Sequence, residues 1–153
     1  MSDFTLADTW HLSNRVNLML LDQLTDRQLA YAANPHARSI ADQFAHLHNV
    51  RLMWLEVQAP AAAKRLRKIG KGAATKESLR EALQASAGAL GESIAAAEGG
   101  GKLKGAKRGP VAFTGYILAH EGHHRGQIIL HLKHAKMPVD RSVGYSIWEW
   151  EKI

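Results

Sequence analysis

Three histidines, a glutamate and an arginine stand within eight consecutive residues, His120-Glu-Gly-His-His-Arg-Gly-Gln127. The surrounding segment, 111–132, is apolar and typical of a helix. On a helix, His120 and His124 lie one above the other on the same face, separated by a rise of about 6 Å. Two imidazoles placed in this way can bind one metal ion, and a divalent first-row ion suits imidazole nitrogen. The segment therefore predicts part of a metal site.

A catalytic metal site usually has three protein ligands and an open position, so a third ligand is needed. The chain contains no cysteine, which leaves His, Asp or Glu. The segment Ala45-His-Leu-His-Asn-Val50 offers two further histidines. His46 lies at the edge of an apolar face that includes Trp54, whereas His48 lies about 200° around the helix. Only one of the two can readily point towards the centre of a bundle.

The same residues also satisfy H-E-x-x-H, the pattern of a zinc-peptidase helix in which the glutamate is the general base. Glu121 would take that role here, although it lies about 100° around the helix from His120. A peptidase would also need a later ligand, for which Glu149 is a candidate, and a strand edge to hold the peptide. The sequence shows no strand alternation, which disfavours this interpretation.

Apolar periodicity predicts four long helices that would position these residues. Their predicted spans are 5–24, 39–58 with a continuation over 61–67, 75–98 and 110–136. Thr5 with Asp8, and Ser39 with Asp42, fit the capping box at a helix start. The predicted fold is all-α, a four-helix bundle forming one domain over residues 1–153, followed by a short aromatic tail at 143–150. The tail is expected to pack on the bundle or on a partner, and with the apolar helix faces it suggests a homodimer.

The composition, 46% hydrophobic and 22% charged residues, is ordinary for a globular protein, and no apolar run reaches the length of a membrane span. We see no secretion signal and expect a cytoplasmic location without membrane partners. The formal net charge of +6 comes partly from two basic runs, 64–71 and 102–108. These runs would suit nucleic acid. However, no aromatics interrupt them and no DNA-binding motif accompanies them, so we favour solvated lysine-rich segments.

Two segments resemble the DinB/YfiT-like superfamily of metal-dependent enzymes. They are Ser39-Ile-Ala-Asp-Gln-Phe-Ala-His46, with Trp54 eight residues later, and His120-x-x-x-His124-Arg-Gly-Gln127. The aromatic-polar first helix and the order of elements extend the resemblance over nearly the whole chain. It implies a four-helix bundle with one pocket and a divalent metal held by His46, His120 and His124. His48 departs from the family pattern, and a rotated or bulged helix would let it replace His46.

Characterised members of the family that the chain resembles include thiol-dependent transferases and isomerases. Three neutral imidazoles would leave the ion's +2 charge uncompensated. The pKa of a bound water would then fall from 15.7 towards about 7, and that of a bound thiol would fall as well. We therefore expect a hydrolase or thiol-dependent transferase that uses zinc, nickel, manganese or iron. Its substrate would be a small molecule, with a low-molecular-weight thiol as one candidate.

Four further polar residues are candidates for the pocket, or for partners of the ligands' other N–H groups: Asn14, His48, Glu121 and Gln127. Arg125 is expected to pair with a carboxylate between helices. The alternative from another class is a non-catalytic bundle, a structural or interaction protein in which the metal only pins the second and fourth helices together.

Overall fold

The structure is a computed structural model that describes residues 3–153, so Met1 and Ser2 of the predicted domain lie outside the described residues. The described chain is all-helical and contains four long helices, as predicted. In chain order the helices are α1 (Leu6–Gln23), α2 (Asp26–Ala30), α3 (Ile40–Gln58), α4 (Pro60–Ala63), α5 (Lys76–Glu98), α6 (Gly109–His134) and α7 (Arg141–Ser146). A 3-10 turn, Trp150–Lys152, follows.

Side-chain caps define the starts of the long helices α1, α3 and α5. The Thr5 hydroxyl accepts from the Asp8 N–H at 3.0 Å, and the Ser39 hydroxyl accepts from the Asp42 N–H at 3.0 Å. Thr75 makes the same contact at the start of α5. Each cap provides an acceptor for a backbone N–H that has no partner within the helix. The predicted starts of these three helices are therefore confirmed to within a residue.

The predicted continuation over 61–67 is shorter in the structure, because α4 ends at Ala63. The chain after α4 returns along α3 instead of remaining helical. There the Asn49 amide donates to the Ile69 carbonyl at 2.9 Å and accepts from the Ile69 N–H at 3.0 Å. These two hydrogen bonds hold the segment after α4 against α3.

The aromatic tail packs on the bundle, one of its two expected positions. Val143 and Ile147 are buried in the same apolar cluster as residues of α1, α3, α5 and α6. Trp148, by contrast, is 77% exposed. No helix among residues 3–153 combines the length and apolarity that crossing a bilayer requires.

Helices α3 and α6 lie side by side and run in opposite directions. His46, early in α3, is next to His120 and His124, whereas Trp54, late in α3, contacts Tyr116 near the start of α6. The three histidines and the aromatic residues therefore share one seam between the two helices. Along α6, Tyr116, His120 and His124 follow one another on this seam because residues four apart lie on the same face of a helix.

Candidate metal centre

The structure brings His46, His120 and His124 together. One ring nitrogen from each lies within 4.8 Å of one ring nitrogen of both others. The ring centroids are 5.3 Å apart for His46 and His120, and 4.7 Å apart for each of the other two pairs. His124 is buried and the other two are half-buried. The three therefore form a group that could hold a divalent metal.

A glutamine on α3 orients one of these imidazoles. Gln43 is buried, and its Oε1 lies 3.1 Å from His124 Nδ1. A neutral His124 that donates its Nδ1–H to this oxygen keeps the lone pair on Nε2, which is then available to a metal. The Gln43 amide nitrogen lies 3.4 Å from His131 Nδ1. Gln43 therefore orients His124, which the sequence predicted as a metal ligand. The sequence analysis assigned no role to Gln43.

All three imidazoles are held in the neutral form. Burial lowers the pKa of His124 to about 4, and the neighbouring His120 and His46 add to the effect. Burial also lowers the pKa of His46, and the positive charge of Arg38 lowers it further. The pKa of His120 falls mainly through burial, against the opposing charge of Glu121. At neutral pH their ring nitrogens therefore carry free lone pairs, the form that binds metal.

The geometry of the three nitrogens fits a single ion with little adjustment. Three nitrogens within 4.8 Å of one another have a central point that is no more than about 2.8 Å from each of them, and zinc–nitrogen bonds are about 2.0–2.1 Å long.

One of the ring nitrogens in this group of histidines has no partner within the described chain. His120 Nδ1 is buried and has no hydrogen-bond partner among residues 3–153. A buried polar atom without a partner costs free energy. The three-nitrogen donor set suits a divalent first-row metal ion.

Glu121 belongs to a buried ion pair rather than to the histidine group. Its Oε1 accepts from Arg51 Nε at 2.7 Å and its Oε2 accepts from Arg51 Nη2 at 2.9 Å. Asn17 Nδ2 donates to Oε2 at 2.7 Å. Glu121 and Arg51 are both fully buried. With both oxygens occupied, Glu121 cannot serve as the general base of a zinc peptidase, and the H-E-x-x-H interpretation is replaced by a structural role.

The ion pair extends into a network that joins three long helices to α6. Arg51 also donates to the Leu83 carbonyl of α5 at 2.8 Å and lies over the Trp10 ring of α1. Arg125 donates to Asn17 Oδ1 at 2.7 Å, so its direct partner is an amide and not the expected carboxylate. The network fixes the rotation of α6 about its axis, which sets the direction of His120 and His124.

The other predicted polar residues lie outside the histidine group. His48 is buried, with Nδ1 3.0 Å from the Ala82 carbonyl and Nε2 2.9 Å from the Arg67 carbonyl. Both of its nitrogens are thus occupied away from His120, which corrects the alternative that His48 replaces His46.

Two further candidates, Gln127 and Asn14, make no hydrogen bond to the three histidines. The Gln127 amide lies 2.9 Å from His123 Nε2 near the surface. Asn14 is buried in α1, and within the described chain its Oδ1 has no hydrogen-bond partner.

A small polar pocket of about 200 Å³ adjoins His46. Arg38 and Lys71, both exposed, contribute positive charge to its lining. Asp42, which also lines the pocket, accepts hydrogen bonds from the backbone N–H groups of Gly72 and Ser39. The pocket therefore places two positively charged side chains beside the histidine group, together with one carboxylate that already accepts hydrogen bonds from the backbone.

The family model for the DinB superfamily matches residues 9–128, a range that contains all three histidines of the group. No curated protein and no solved structure is significantly similar to the chain. The matched range is more than half of the chain and runs from α1 into α6. The chain belongs to the DinB superfamily.

Proposed function

We propose that the protein is a metal-dependent enzyme in which His46, His120 and His124 hold a divalent ion with an open position. It would act as a hydrolase or thiol-dependent transferase on a small molecule. The observation that carries the proposal is the approach of three neutral imidazole nitrogens to within 4.8 Å of one another. Metal binding is also common in the DinB superfamily.

The donor set favours activation of a nucleophile. A divalent ion bound by three neutral ligands keeps its full charge and lowers the pKa of a bound water or thiol. Gln43 holds the His124 ring in the tautomer that leaves Nε2 free. Glu121 keeps α6 in place through Arg51 and is not available as a base. The chain's own contribution is thus a neutral, oriented set of nitrogens.

The pocket beside His46 supports an anionic substrate. Arg38 has no ion pair or hydrogen bond through its side chain to any residue within 3–153, and it is exposed. Its charge is close enough to lower the pKa of both His46 and His124. A carboxylate bound by Arg38 would therefore lie next to the metal centre, where a thiol or ester on the same molecule could reach the open position.

Metal analysis of protein purified without chelators tests the proposal. We expect about one equivalent of divalent metal in the wild type and essentially none in His120→Ala/His124→Ala. The control, His36→Ala/His134→Ala, removes two exposed histidines and should keep the metal. Equal metal content in all three proteins would refute the proposal.

X-ray absorption spectroscopy of the metal-loaded wild type then separates an enzyme from a non-catalytic bundle. Three nitrogen ligands with an exchangeable water indicate an open, catalytic site. A closed set of four protein ligands would assign the metal to stabilisation alone. A screen of hydrolysable esters and low-molecular-weight thiols with the loaded protein would then identify the reaction.

A further inference from the structure

A second cleft lies further along the seam between α3 and α6, with a volume of about 370 Å³. Three aromatic rings form its apolar wall. Trp54 meets Phe113 edge to face with ring centroids 5.2 Å apart, and it meets Tyr116 in the same way at 5.7 Å. Tyr116 is 47% exposed, so one face of the aromatic cluster is open to a ligand.

The loop before α6 closes the other side of this cleft. Gly105 has a φ of +78°, and a Cβ at this position would lie 3.2 Å from Trp54 Cζ3. The backbone therefore approaches the indole more closely than a side chain would comfortably permit. This close approach places the loop backbone directly against the aromatic wall of the cleft.

The rim of the cleft is positively charged. Lys107 and Arg108 are exposed and line it, and none of the other lining residues is acidic. Within the described chain, neither side chain has an ion pair or a hydrogen bond. The basic run 102–108 thus lies against aromatic rings in the folded chain, although no aromatics interrupt it in the sequence.

We propose that this cleft binds a small organic anion, whose flat apolar body lies against Trp54 and Tyr116 and whose anionic group pairs with Lys107 and Arg108. The volume is at the lower end of the range for small-molecule sites, which suits a ligand of one or two rings. Tyr116 precedes His120 by one helical turn, a rise of about 6 Å, so the cleft and the metal centre are neighbours on α6. The proposal does not depend on the metal.

Two other occupants fit the cleft less well. A symmetric dimer with its two-fold axis at the cleft would bring Lys107 and Arg108 of both copies together, where like charges repel. An organic cation could lie over the aromatic rings, but Lys107 and Arg108 would oppose it. Charge complementarity therefore selects an anion.

The experiment uses naphthoate, with naphthylmethanol as a neutral analogue that has the same ring. Affinities are measured by calorimetric or NMR titration at low ionic strength. We expect naphthoate to bind the wild type at least about fivefold more tightly than the alcohol, as two exposed charge pairs allow. Lys107→Ala/Arg108→Ala should remove this preference, whereas Lys64→Ala/Arg65→Ala, the same charge change in another basic run, should keep it.

A further variant, Tyr116→Ala, should weaken both ligands because it removes an aromatic contact. Its far-ultraviolet circular dichroism should match the wild type, since Tyr116 is half exposed. Adenosine monophosphate, titrated in parallel, distinguishes a nucleotide from an aromatic carboxylate as the natural class of anion. Tighter binding of either anion supports the site, provided that Lys107→Ala/Arg108→Ala weakens that binding.

Equal affinities for naphthoate and the alcohol would overturn the proposal. So would an equal loss in the two charge variants, or a dimer that dissociates in Tyr116→Ala while naphthoate fails to bind the wild type. His120→Ala/His124→Ala should bind naphthoate as the wild type does. Failure of the metal proposal and failure of the cleft proposal are therefore seen in different measurements.

Discussion

Gln43 and His124 face each other across the contact between α3 and α6, with Gln43 Oε1 3.1 Å from His124 Nδ1. The two residues are 81 positions apart in the chain. This single contact determines which ring nitrogen of His124 carries the proton and which can bind a metal. It also couples the group of three histidines to the packing of the bundle.

The first prediction concerns Gln43. Replacing it with leucine removes the acceptor for the His124 Nδ1–H and should weaken metal binding by about ten- to a hundredfold. Gln43→Glu retains an acceptor oxygen and should restore most of the affinity. The measurement is a competition titration with a chromophoric chelator. An unchanged metal affinity in Gln43→Leu would contradict the role assigned to the glutamine.

The second prediction concerns the Arg51–Glu121 ion pair. Arg51→Met leaves the Glu121 charge buried and should lower the free energy of unfolding by about 3–5 kcal/mol. Asp22 and Arg80 form a comparable pair at the surface. Arg80→Ala should cost no more than about 1 kcal/mol. Urea denaturation measures the free energy of unfolding of both variants. Similar decreases in the two would contradict the prediction that breaking the buried ion pair is more destabilising than breaking the surface pair.

Local interactions account for what the sequence could predict. Thr5, Ser39 and the partners that complete their caps are three residues apart, so the sequence alone placed the starts of α1 and α3. The approach of His120 and His124 likewise follows from the helical repeat.

What the sequence missed depends on how the helices are rotated against one another. Arg51 and Glu121 are 70 residues apart, and nothing local indicates that they pair. Gln43 had a weak signal, since it precedes His46 by three residues and so shares its face of α3. His48 illustrates the same limit, because its two hydrogen-bond partners come from α5 and from the segment after α4. The family resemblance implied His46 rather than His48 as the α3 ligand, and the tertiary packing brings His46, not His48, to His120 and His124.

The third prediction concerns acid unfolding of the metal-free protein. Folding lowers the pKa of all three histidines, so the unfolded chain binds more protons in acid. Their contribution to stability is therefore present above their ordinary pKa of about 6.5 and is lost as the pH falls towards 4. His124→Gln should show a shallower loss over this range than the wild type. The control His134→Ala should follow the wild type, and identical pH profiles for all three proteins would argue against the lowered pKa of His124.

The fourth prediction concerns the effect of metal on stability. An ion that binds only the folded state stabilises it by about 2.7 kcal/mol at a concentration a hundred times its Kd. For a chain of this size, that corresponds to a rise in Tm of roughly 5–10 °C. Differential scanning calorimetry with and without a chelator measures the rise. His120→Ala/His124→Ala should show none, and a rise equal to that of the wild type would place the ion elsewhere.

The fifth prediction separates substrate recognition from metal binding at the pocket beside His46. Cobalt(II) substitution makes thiol coordination visible as a sulfur-to-metal charge-transfer band, which can be titrated with mercaptoacetate and with uncharged mercaptoethanol. If Arg38 binds the carboxylate, Arg38→Ala should weaken mercaptoacetate binding by about fivefold, as expected of one exposed ion pair, and leave mercaptoethanol unchanged.

The cobalt content of Arg38→Ala should match the wild type, because Arg38 is not one of the three proposed ligands. Arg65→Ala removes an exposed arginine that does not line this pocket and should behave as the wild type with both thiols. Equal weakening of the charged and the neutral thiol in Arg38→Ala would mean that the arginine acts on the metal centre as a whole. Arg38 would then not select an anionic substrate, since a specific ion pair can affect only the ligand that carries the charge.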